Sequence, residues 1–143
     1  RPRHHHQPIR HARRDCVMAW LDRTLITGPF LALVTSEAEF YKALKAMKIP
    51  KADDPDWIKT PQADATTHWM THESGELACI VALRLREGVN GVQVAAMFAH
   101  EAVHVFQRYC EHIGEEKPSA EFQAYSIQAI TQNLMTAYSQ KVK

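Results

Sequence analysis

The chain has 143 residues, 45% of them hydrophobic and 23% charged, with a formal net charge of +1. This is the make-up of one soluble domain with a modest core, and the near-neutral balance points away from nucleic acid and acidic membrane surfaces. No apolar run reaches the roughly 18–20 residues of a membrane span, and the basic start lacks the apolar stretch of a secretory signal. Cys16, Cys79 and Cys110 are odd in number and widely spaced. They form neither a disulfide framework nor a C-x-x-C zinc pair, so a reducing compartment, the cytoplasm, is expected.

Residues 1–14 carry Arg1, Arg3, Arg10, Arg13 and Arg14, no acid, and four of the nine histidines. They read as a solvated tail, with a nucleic-acid arm as the rival reading. Residues 15–143 read as one domain. The spacing of Val17, Trp20, Leu21, Thr24 and Leu25 predicts a helix over about 13–26, stopped by Gly28-Pro29. Phe30 to Val34 reads as a buried strand. Ser36 and Glu39 form a capping box for a second helix running to about Met47. Residues 50–64, with three prolines and four aspartates, form a long loop in which Trp57 reads as an anchoring plug.

Two alternating segments, 65–72 and 77–85, predict strands joined by a turn at Glu73 to Glu76. In the first, His68, Met70 and His72 share one face and Thr67, Trp69 and Thr71 the other. Asn90, with Gln93 as reciprocal partner, caps a third helix that ends at Gly114, and Pro118-Ser119 opens a last helix running to about Gln140.

The third helix carries His100-Glu101-Ala102-Val103-His104. Four residues are about one helical turn, so the two imidazoles project from one side and can share one ion. Ala95, Phe98, Ala99, Ala102, Phe106, Tyr109 and Ile113 are expected to form the opposite, core-facing stripe. A zinc ion held there would lower the pKa of a water toward roughly 7, and Glu101 would take that water's proton and return it to a leaving amine.

A third ligand is needed. Glu121, in the first turn of the last helix, is the best placed in sequence, and Glu115 and Glu116 in the turn are alternatives. Glu121 also reads simply as an acid favoured at a helix N-terminus. The last helix has its own apolar stripe of Ala120, Ala124, Ile127, Ile130, Leu134 and Tyr138. Tyr125, off that stripe, reads either as a cleft donor to an oxyanion or as a packed aromatic. His68 and His72 read as hairpin-surface or cleft-rim residues rather than ligands.

At these residues the chain resembles the zincin metallopeptidases of the gluzincin type, in which H-E-x-x-H is joined by a downstream glutamate. The resemblance covers about residues 65–140. It implies zinc as cofactor, held by His100, His104 and Glu121, with Glu101 as general base and a peptide or protein as substrate. It also implies that the strand over 77–85 lines the cleft, which makes Ala78 and Ile80, with His68, substrate-binding candidates. The expected fold is α+β: a minimal zincin-like domain with a small, mainly antiparallel sheet and about four helices, the third carrying the metal. Without a motif to carry it, the chain also resembles small phage or prophage proteins. The rival function is accordingly a non-catalytic structural metal site in a phage assembly, which four protein ligands would close.

Overall fold

The computed structural model describes residues 27–143. The basic tail, the helix expected over 13–26 and Cys16 lie outside the described residues. The apolar run forms strand β1 (Phe30–Val34), and helix α1 (Glu37–Ala46) follows. The Ser36 hydroxyl accepts the Glu39 N–H, while the Glu39 carboxylate reaches back to Thr35 instead of Ser36. Strands β2 (Ala65–Thr71) and β3 (Leu77–Leu83) form a hairpin. Its turn requires Gly75 at φ +85°, a conformation that glycine adopts without a Cβ penalty. Both halves of the Asn90–Gln93 capping box are made, at 2.9 Å each, and open helix α2 (Gly91–Ile113). Gly114, in the left-handed conformation, ends it, and Ser119 caps helix α3 (Ala120–Lys141).

The class is α+β, with three helices among the described residues beside one short 3-10 turn at Lys51–Asp53. The sheet is mixed rather than mainly antiparallel. Its order is β1-β3-β2, with β1 parallel and β2 antiparallel to β3. A parallel neighbour needs a long connection, and α1, the long loop and β2 together supply it.

Strand β3 is buried along its whole length because both faces are covered. Leu77, Cys79, Val81 and Leu83 pack with Val94, Phe98, Val105 and Tyr109 of α2 and Leu134 of α3. On the other face Ile80 and Ala82 pack with Val34, Phe40, Leu44 and Ile58. Trp57 packs against this second group, with Arg84 over its ring, as an anchoring plug would. The loop is further tied by Arg84 and Arg86, which both donate to the Pro61 carbonyl, and by the Arg86–Asp64 ion pair. No helix among the described residues is long and apolar enough to cross a membrane.

Candidate metal centre

Helix α2 lies over β2 and β3, and its buried face is wider than the expected stripe. Val94, Glu101, Val105 and Cys110 are buried, whereas Ala99 and Ile113 are exposed. The cause is that α2 packs on two neighbours, the sheet and α3, so about half its circumference is covered. Glu101 thereby turns inward, to 6% exposure, while His100 and His104 stay at the surface.

The two histidine Nε2 atoms stand 3.1 Å apart, with the rings inclined at 74°. Two imidazole nitrogens on one tetrahedral zinc are separated by about 3.3 Å at ordinary Zn–N lengths. The pair therefore fits one shared ion without moving the helix. The same separation also suits an N–H···N hydrogen bond between two neutral rings. A buried carboxylate needs a donor, and Glu101 has one: the Thr67 hydroxyl of β2 donates to Oε2. Lys59, Thr67, Trp69, His100, Glu101 and His104 line a cleft of about 300 Å³. A larger opening of about 830 Å³ beside Tyr41, Lys45 and Ile49 is lined by no histidine among the described residues, so volume does not mark the chemistry here.

Among the described residues, no third histidine, cysteine or acid joins the pair as a metal-holding group. Glu121 is exposed in the first turn of α3, and that turn is seated on α2 through Phe122 and Phe106, whose ring centroids are 5.4 Å apart. Phe106 follows His104 by two residues, about 200° around the helix. The packing thus brings the start of α3 to a different side of α2 from the histidines, and Glu121 is not brought to them. Tyr125, 67% exposed, is neither a packed aromatic nor part of the cleft lining. Of the expected α3 stripe only Leu134 is buried. Glu115 and Glu116 line a different opening with Phe106 and Cys110.

The substrate-binding expectations for Ala78, Ile80 and His68 need correction. Ala78 and Ile80 are buried in the central strand, which is paired on both sides and has no free edge. His68 is cross-strand from Ile80 on the α1 face, with its Nε2 2.9 Å from the Trp57 carbonyl oxygen and its ring against Phe40. Among the described residues, the strand at the sheet edge beside the cleft is β2. The bonds His72 N to Glu76 O and Arg84 N to Asp64 O set the alternation of the hairpin. By that alternation, the backbone groups of Thr67 and Trp69 face outward.

Thr67, Trp69 and Lys59 were not legible as site residues. The alternation puts Thr67 and Trp69 on one face, but only the packing shows that this face meets α2. Neither buried cysteine belongs to the cleft; burial pushes the Cys79 thiol up to about 11 and raises Cys110 as well. No family model, curated protein or solved structure matches the chain.

Proposed function

We propose that this chain is a zinc-dependent hydrolase of peptide bonds, with His100 and His104 as metal ligands and Glu101 as general base. The observation that carries the reading is the pairing of two surface imidazoles, 3.1 Å apart, with a buried carboxylate one residue away at the same cleft. Zinc, when bound, supplies Lewis acidity toward a carbonyl and lowers the pKa of a water. The two imidazoles present ring nitrogens as ligands from a rigid helix. Glu101 takes a proton and passes it to the leaving amine. Thr67 engages Oε2, and among the described residues Oε1 has no donor, which leaves it to accept that proton. The outward backbone groups of Thr67 and Trp69 suit an extended peptide.

The test is hydrolysis of a mixed peptide library by the zinc-loaded protein, read by mass spectrometry. Cleavage is expected from the wild type and is lost in Glu101→Gln. No cleavage of any peptide by a verified zinc-loaded sample would count against the enzyme.

A second reading is favoured by the two-ligand count among the described residues. In it, two chains share one ion and the protein is a non-catalytic assembly component. Stoichiometry separates the two: one zinc per chain for the hydrolase, one per two chains for the shared site.

A further inference from the structure

Trp69 is the large aromatic side chain lining the cleft with the histidine pair. It follows Thr67 by two residues on the same face of β2 and remains 40% exposed. An indole left open on a sheet edge forgoes apolar burial. It is nevertheless held in place. The Arg108 guanidinium lies 5.2 Å from its ring centroid, and Arg108 is itself tied to Glu111 at 3.1 Å. Arg108 stands one turn after His104, so the helix that presents the histidines also fixes the indole. Because Arg108 is already paired with Glu111, the surface offered to the cleft is the apolar ring rather than an unpaired cation.

The cleft also has a length. From Ala65, beside Lys59, to Trp69 the strand spans about 13 Å, the reach of about four extended residues.

We propose that Trp69 is a side-chain platform that selects an extended peptide carrying an aromatic or large aliphatic residue. Charged side chains of either sign gain no matching apolar contact there. The proposal rests on the peptide-hydrolase reading for what happens to the bound chain, but recognition at Trp69 needs neither metal nor turnover.

The test uses blocked pentapeptides, acetyl-Gly-Gly-X-Gly-Gly-amide, with X as Phe, Leu, Asp or Lys. Binding to the full chain, metal-free and zinc-loaded, is followed by the Trp69 indole N–H resonance, assigned from Trp69→Phe. Phe and Leu peptides are expected to bind roughly tenfold more tightly than Asp or Lys peptides and to shift that resonance. The preference should fall to within about twofold in Trp69→Ala and survive in His100→Ala. Arg108→Ala, which leaves the strand intact, should weaken it by severalfold and serves if Trp69→Ala does not fold. Absence of binding by every peptide, equal binding by all four, a preference for Asp, or a preference kept in Trp69→Ala would overturn the proposal. Selective binding by a protein that takes up no zinc and cleaves nothing would sustain the platform and remove the hydrolase.

Discussion

The Thr67 hydroxyl donates to the Glu101 carboxylate, joining β2 to α2 across 34 residues of sequence. A helix by itself can place His100 and His104 on one side. It cannot orient the carboxylate between them, because that side chain turns toward the sheet. The strand supplies the donor, so the candidate base is positioned by tertiary structure and not by the motif.

Replacing Thr67 by Val keeps the branched shape and removes the hydroxyl. The carboxylate then loses its donor while still buried, and stability should fall by about 1–3 kcal/mol. Urea denaturation measures this, and Thr67→Ser should restore most of it. Zinc affinity should stay within about twofold, because Thr67 contacts the base and not the ligands. Unchanged stability would mean that the bond contributes nothing.

Glu101→Gln is nearly isosteric, and its amide oxygen still accepts from Thr67. The amide cannot take a proton, so hydrolysis should fall by about 10²–10⁴-fold while zinc stays bound. Steady-state rates with metal analysis of the same sample check this. Loss of metal in the variant would make Glu101 a ligand and not a base.

The packing of Phe122 on Phe106 yields a prediction for Glu121. Because the start of α3 sits away from the histidines, Glu121→Ala should leave zinc affinity within about twofold of the wild type, as should Glu115→Ala and Glu116→Ala. Chelator competition measures it. A large loss for Glu121→Ala alone would mean that α3 repacks when metal binds and that the gluzincin ligand set forms after all.

Burial raises the Cys79 thiol from 9.0 to about 11. A folded-state value above the unfolded one favours the protonated, folded form. This contribution to stability is therefore full below about pH 9, as for an ordinary thiol, and is lost as pH rises toward 11. Denaturation from pH 8 to 11 should show the decline, shallower in Cys79→Ala. At neutral pH the thiol should resist alkylation until the protein unfolds.

The parts of the molecule that local chemistry governs were legible from sequence. Asn90 and Gln93 close their box, Gly114 stops α2, Gly75 turns the hairpin and Ser119 starts α3. The one-turn spacing of His100 and His104 likewise needed only the helix. What was not legible depends on distant pairing. Phe30 lies opposite Ala78 in a parallel ladder that no local pattern encodes, and this ladder makes β3 central and denies it a substrate edge. The inward turn of Glu101 follows from α2 packing on two neighbours at once. The failure of Glu121 to reach the pair follows from how α3 crosses α2.

The most direct measurement is zinc uptake by the metal-stripped full chain, with the bound ion's ligands read by X-ray absorption. About one zinc per chain is expected, with two imidazole nitrogens at about 2.0–2.1 Å. Binding should be retained when His4, His5 and His6 are replaced by alanine and lost in His100→Ala and His104→Ala. A chain that takes up no zinc, or one whose uptake is unchanged when both His100 and His104 are replaced, would contradict the metal centre.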